Sequence, residues 1–334
     1  MSSDRIDILD GWRALSILLV LAGHWLPIGP KSWELNGATA ATGMVLFFIL
    51  SGFLITRMLL SNPSVPDFLI RRLFRIVPLA FMAMLALAVW NQSDFNFLFR
   101  NLLFLANLPP QHLFAGGEHL WSLCVEMQFY VGIAFIVALV GRRGLFFVPL
   151  MALCVTGLRI FQGAEMSIVT WQRVDEILAG GTIALLATSS TIVTRVRRLP
   201  ASTPLVLLPL VFLSAHPEAA ALNYARPYLA AATVGISLYV APKPIIQLFQ
   251  SRQAIYIAQI SYALYVVHGI LAAGWLGSGE RLLKYAKRPL LVLATFGLAH
   301  LSTFYFESRM ISLGKLAAKR WTASRNNDQA SGLA

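Results

Sequence analysis

Charge is scarce in this chain. Asp, Glu, Lys and Arg make up 13% of its 334 residues, about half the ~25% of an ordinary soluble domain, which excludes a conventional water-soluble globule. Cysteine is rarer still. Cys124 and Cys154 both fall inside apolar runs with no CxxC spacing, so neither a disulfide framework nor a zinc site has support. GxSxG, HExxH and P-loop patterns are absent, which leaves a hydrolase elbow, a zincin and an NTPase without sequence support. No repeat recurs at a fixed period.

What the chain has instead is apolar length. Hydrophobic residues reach 57% and the mean hydropathy is +0.67, the balance of a polytopic membrane protein. Apolar windows at 11–28, 39–60, 73–90, 121–141, 144–161, 174–190, 200–215, 225–242, 253–276 and 289–311 give an all-α transmembrane helical bundle of about ten spans. Pro204 and Pro209 interrupt the seventh, as membrane helices tolerate. The first window is not followed by a small-residue cleavage site, so it reads as a span rather than a signal peptide. After about Ile311 the chain turns polar, and residues 312–334 are expected to form a disordered cytoplasmic tail.

The net charge of +12 does not imply nucleic acid here, because its distribution follows the loops. One set carries Arg71, Arg72, Arg75, Arg142, Arg143, Arg195, Arg197, Arg198, Lys243 and Arg252, then Lys315, Lys319, Arg320 and Arg325. The alternate set holds Lys31, Arg100, Arg159, Arg173 and Arg226, with one basic cluster at Arg281, Lys284, Lys287 and Arg288. The positive-inside rule then places both termini in the cytoplasm. The last cluster runs against that rule.

Ionisable residues inside spans are costly unless they face a bundle interior or a wet cavity, so they read as functional. Arg13 and His24 lie eleven residues apart in the first span, roughly 16–17 Å along a helix axis. On the derived topology Arg13 is near the cytoplasmic face and His24 near the outer one. Glu126, Asp175, Glu176 and His268 fall in the same outer layer. A histidine paired with a carboxylate can act as general base towards a hydroxyl. A lone His24 would read as a hydrogen-bonded core residue; with Glu126 at matching depth and Arg13 below, the catalytic reading prevails. Arg72 and Arg75, spaced i and i+3, share a helix face and could clamp a phosphate-bearing ligand, against the plain alternative of positive-inside basicity. The stretch from Asn91 to His119 is too apolar for a free loop and is expected to re-enter or lie along the interface. His112 and His119 within it read as surface histidines.

Five strings in order resemble the acyltransferase-3 family of bacterial membrane acyltransferases, over roughly residues 5–310. They are Asp10-Gly11-Trp12-Arg13-Ala14 followed by His24; Phe47-Phe48-Ile49-Leu50-Ser51-Gly52-Phe53-Leu54-Ile55; Arg71-Arg72 with Arg75-Ile76-Val77-Pro78; Trp121-Ser122-Leu123 with Val125-Glu126 and Phe129-Tyr130; and Ile260-Ser261-Tyr262 with Leu264-Tyr265 and His268. Glu307-Ser308-Arg309 departs from the family's more usual Glu-x-Pro, so Glu307 carries little weight. The resemblance implies a membrane acyltransferase domain over residues 1–311 in the bacterial inner membrane. It implies transfer of an acyl group, commonly acetyl, from cytoplasmic acyl-CoA to a hydroxyl of a carbohydrate or glycolipid, with no metal. His24 and Glu126 would be catalytic, and Arg13, Arg72 and Arg75 would hold the donor. Asp10, Ser51, Trp121, Ser122, Tyr130, Asp175, Tyr265 and His268 would shape the pocket. A proton-coupled transporter or flippase of a glycan precursor is the alternative.

Overall fold

The computed structural model describes residues 7–331, and among them every regular element is helical. The helices are α1 (Asp7–Trp25), α2 (Leu35–Ser61), α3 (Val65–Trp90), α4 (Phe95–Leu102), α5 (Trp121–Val140), α6 (Val148–Phe161), α7 (Asp175–Leu186), α8 (Ser190–Val196), α9 (Thr203–Ser214), α10 (Arg226–Ser237), α11 (Lys243–Phe249), α12 (Arg252–Ala273), α13 (Arg281–Ala286), α14 (Arg288–Leu301) and α15 (Ser308–Ser331). A π-helical turn, Ser302–Glu307, joins the last two.

Each of the ten expected segments contains a helix. Among the described residues, five stretches suffice by length and apolarity to cross a membrane: Leu35–Ser61, Val65–Trp90, Glu118–Phe161, Arg252–Ala273 and Arg288–Thr322. The pair α7–α8, bent by 102°, makes a sixth if counted as one span. The count therefore stops short of ten. In α1 the apolar run is broken by Asp10, Arg13 and His24, and α9 and α10 have 12 residues each. Helix α15 carries helical backbone through 312–331, where composition had pointed to disorder; residues 332–334 of that tail lie outside the described residues.

The packing groups the chain into two compact units. The first comprises the chain up to Arg57 with Leu145–Ser261; the second comprises Met58–Gly144 with the chain from Tyr262 onward.

In the first unit, small residues let helix backbones touch. A Cβ at Gly43 would lie 2.5 Å from the Ser16 carbonyl oxygen of α1, and one at Gly52 would lie 1.8 Å from the Ile177 oxygen of α7. Gly180 meets α2 in return, at 2.1 Å from the Ile49 oxygen. Helices this close exclude side chains from the crossing, as in small-residue membrane interfaces. Asn36 closes the end of α1 by donating to the Gly23 and Leu26 carbonyls at 2.7 and 2.6 Å, which satisfies groups a helix end leaves open. Ile8, Trp12, Leu46, Ile49, Phe53, Val211 and Val234 form the core.

In the second unit α3 packs along α15, with Gly314 against the Phe74 ring, where a Cβ would lie 2.6 Å from Phe74 Cβ. Helix α4 begins where Asp94 accepts from the Phe97 amide at 2.7 Å, a side-chain N-cap. Phe97 then packs on Phe114 at 5.1 Å. The apolar stretch before α5 is thus a short helix and its packed return.

Candidate functional site

Of the expected site residues, Asp10, Arg13, His24, Ser51 and Asp175 belong to the first unit. Arg72, Arg75, Trp121, Ser122, Glu126, Tyr130, Tyr265 and His268 belong to the second.

On α1, eleven residues turn the helix through three full turns and about 20° more, so Arg13 and His24 lie on nearly the same face. His24 is exposed and Arg13 half-buried. Their neighbours in the motif serve packing. The Trp12 indole donates to Ser237 Oγ at 2.7 Å and meets the Phe249 ring edge-on at 5.1 Å. A side chain at Gly11 would collide with Phe249, 2.1 Å away. The Asp10-Gly11-Trp12-Arg13 string thus divides between an inward anchor and outward polar groups. Ser51 is buried one residue before the Gly52 crossing.

Asp175 is not poised towards a ligand. Its Oδ2 accepts from Arg159 Nη1 at 2.5 Å and from Thr156 Oγ1 at 3.1 Å. Glu176 accepts from Arg226 Nε at 2.8 Å, with Arg173 Nε at 3.3 Å on its other oxygen. Arg159, Asp175, Glu176 and Arg226 are all 0% exposed. Burial pulls the Arg173 guanidinium down to about 10, against the opposing pull of Glu176. Buried charges persist when paired, and each charge of this network has an opposite partner, while Glu176 Oε2 and Arg226 Nη2 have no hydrogen bond. Arg159, Arg173 and Arg226 had counted as loop charges; their place in the core was not visible from spacing.

The second unit brings four expected residues together. Tyr130 donates to Glu126 Oε1 at 2.5 Å, one helical turn along α5. Arg72 on α3 lies within hydrogen-bonding reach of Tyr130 and feels both Glu126 and Arg75. Tyr262 donates to the Ile76 carbonyl at 2.5 Å, beside Pro78 of α3, and faces Glu126, Glu307 and Arg75. Glu307 accepts from Ser302 Oγ and Thr303 Oγ1 at 2.9 and 3.1 Å within the π turn and also faces Arg75. The result is two arginines and two buried carboxylates joined through tyrosine hydroxyls. Glu307, given little weight on sequence, is part of it; π turns recur at functional sites.

A second cluster joins α5 to α12. Ser122 Oγ donates to Tyr265 Oη at 2.6 Å, and Tyr265 in turn donates to the His119 carbonyl. The His119 ring stacks near His268, 4.5 Å between centroids, with its Nε2 3.1 Å from the Val266 carbonyl. His268 Nδ1 lies 2.6 Å from the Tyr265 carbonyl. His119 is therefore half-buried in the fold rather than a surface histidine. It fits because residue 269 is glycine: a Cβ there would sit 2.3 Å from the His119 ring. Among the described residues, no three His, Cys, Asp or Glu side chains are placed to hold a metal ion.

A helical protein that carries ionisable groups on α1 of one unit and, gathered together, on α3 and α5 of the other fits a membrane enzyme, and the comparisons name its class. The acyltransferase domain of the acyltransferase-3 family matches residues 6–307, and the chain belongs to that family. It is 28% identical over 158 residues to the peptidoglycan O-acetyltransferase OatA of Listeria monocytogenes, a match covering 39% of this chain and 24% of that protein. It is 30% identical over 151 residues to YrhL of Bacillus subtilis, covering 37% and 22%. Nodulation protein 10 of Rhizobium leguminosarum is 24% identical over 326 residues, covering 82% and 85%. The chain thus spans about a quarter of the length of the first two relatives. No solved structure matches it.

Proposed function

We propose that the protein is a multi-pass O-acyltransferase of the bacterial inner membrane, which moves an acyl group, acetyl above all, from cytoplasmic acyl-CoA to a carbohydrate hydroxyl. The observation that carries this reading is the shared face of Arg13 and His24 on α1, in a chain of this family whose flanking Gly11 and Trp12 are consumed by packing. The peptidoglycan acetyltransferase among the relatives favours a glycan as acceptor. The ten-span topology with cytoplasmic termini belongs to the same proposal. It gains from the burial of Arg159, Arg173 and Arg226, because core charges no longer count against the loop bias.

In this reading His24 takes the proton of the acceptor hydroxyl, and the oxygen attacks the thioester carbonyl. The tetrahedral intermediate collapses with loss of the CoA sulfur, which recovers the proton from the imidazolium. No covalent acyl-enzyme is required. Arg13, about 16–17 Å along the same face, lines the path of the donor. Arg72 and Arg75 hold its phosphates, and Glu126, expected from the sequence as the carboxylate that assists His24, is assigned instead to orienting Arg72 through Tyr130.

The test is mass spectrometry of surface glycans from a deletion strain complemented with wild type or His24→Ala. A mass gain of one acyl group on a defined sugar is expected with wild type alone. Normal acylation by His24→Ala would remove the base role. Glycan missing from the surface, rather than unmodified, would replace the enzyme with a flippase. Arg72→Ala with Arg75→Ala should raise the acyl-CoA concentration needed for transfer; an unchanged requirement returns both arginines to topology alone.

A further inference from the structure

Between α7, α8 and α10 of the first unit runs a groove of about 250 Å³. Ile183, Leu186, Val193, Ala232 and Ile236 supply its walls, with Tyr239 at one side. The polar groups that border it are already used. Thr182 donates to the Leu178 carbonyl at 3.0 Å, and the Tyr228 hydroxyl lies 2.9 Å from Thr156 Oγ1. The walls therefore offer apolar contact and no unmet hydrogen bond, which suits a hydrocarbon chain.

The rim differs sharply. The Arg197 guanidinium sits 6.0 Å from the centre of the Tyr239 ring, one residue after Val196 of the groove wall. Arg195 and Arg198 flank it, and all three are exposed. Between Glu176 and Glu280 the chain contains a single acidic residue, Glu218. The segment that builds the groove and its rim thus brings arginines with a single carboxylate. The 102° bend between α7 and α8 turns the basic end of α8 across the line of α7, the orientation in which basic side chains at a bilayer surface meet lipid phosphates.

We propose that this groove holds one acyl chain of an anionic phospholipid of the surrounding bilayer, with its phosphate against Arg197 and the flanking Arg195 and Arg198. Apolar walls take the tail, and the arginines choose the head. The site depends on the chain being embedded in a bilayer and not on acyl transfer, so it stands or falls separately from the activity.

The experiment uses the full chain in mild detergent, with phosphatidylglycerol or phosphatidylcholine of identical tails added. Native mass spectrometry reads retained lipid, and thermal unfolding reads stabilisation. Wild type should retain phosphatidylglycerol preferentially and melt higher with it. Replacing Arg195, Arg197 and Arg198 with Gln should weaken that retention by on the order of 100-fold and make the two lipids equivalent. Ala232→Phe, which fills the groove, should abolish retention of both; if it does not fold, Val193→Phe enters the same space from α8. Equal retention of the two lipids by wild type would overturn the head-group assignment. Undiminished binding in the groove-filling variant would overturn the groove itself. Glycerol phosphate raising the melting temperature as much as the lipid would make this a free-phosphate site. A polyprenyl phosphate displacing phosphatidylglycerol at equal concentration would replace phospholipid as the occupant.

Discussion

In the first unit Arg159 and Asp175 meet at 2.5 Å with neither side chain exposed, whereas in the second Arg72 keeps part of its surface open and reaches Glu126 in the company of Tyr130. Both places gather arginines and carboxylates at helix interfaces. In the first, Arg226 spends its guanidinium on Glu176, Asn223 Oδ1 at 2.8 Å and the Met166 sulfur. In the second, the carboxylates take hydroxyl donors, Tyr130 on Glu126 and Ser302 with Thr303 on Glu307. Guanidinium and carboxylate locked directly together hold a fold; carboxylates that take hydroxyl donors leave the neighbouring arginines to offer a ligand.

The largest expected effect tests the first half of that contrast. Arg226→Ala strands the Glu176 carboxylate in the core and should cost about 3–5 kcal/mol, read as a lowered unfolding temperature or loss of the monodisperse peak in detergent. A loss below that range would mean that Arg173 alone satisfies Glu176. Gly180→Val comes next. It forces α7 away from the Ile49 carbonyl and should destabilise by about 1–3 kcal/mol through overpacking, in the same unfolding assay. Tyr130→Phe removes one hydrogen bond to Glu126 and should cost about 1 kcal/mol, while the acyl-CoA requirement rises because Arg72 loses its orientation. The smallest stability effect belongs to Arg72→Ala, below about 1 kcal/mol, although transfer should fall markedly. If Arg72→Ala instead unfolds the protein as Arg226→Ala does, the two regions are alike and the contrast fails.

The helices were legible because membrane spans announce themselves by apolar length. Their starts were less so. Helix α3 begins at Val65, with Ser64 extended before it, Pro66 in the first turn and Asp67 paired to Arg71 at 2.8 Å. A hydropathy window discards that first stretch because Arg71, Arg72 and Arg75 dilute it. The same blindness hid the core of the first unit. Arg159, Arg173 and Arg226 look like loop charges in one dimension, and only their burial and their ion pairs with Asp175 and Glu176 reveal them as interior. The basic cluster that ran against the charge bias is also partly accounted for. Lys287 donates to the Trp275 carbonyl at 2.5 Å and lies over its ring, and Arg288 stacks on Tyr285, so both have local structural partners among neighbouring aromatics. On the site side, the five ordered strings fall on α1, α2, α3, α5 and α12. They did not separate Trp12 and Gly11, which pack, from Arg13 and His24. Nor did they mark His119, whose place rests on Gly269 of α12.

The π turn between α14 and α15 has a bearing on how the length of this chain can vary. A π turn absorbs one residue beyond what α-helical winding needs, so the helices on either side keep the faces they would have in a chain one residue shorter. Deleting a residue within 302–306 would straighten the segment yet leave Gly314 opposite Phe74 and α15 seated on α3. The loss would be local: the widened loop that brings Ser302 and Thr303 to Glu307. Elsewhere along Arg288–Thr322 the same deletion would rotate every later side chain by about 100° and bring a neighbour such as Lys315 to the place of Gly314.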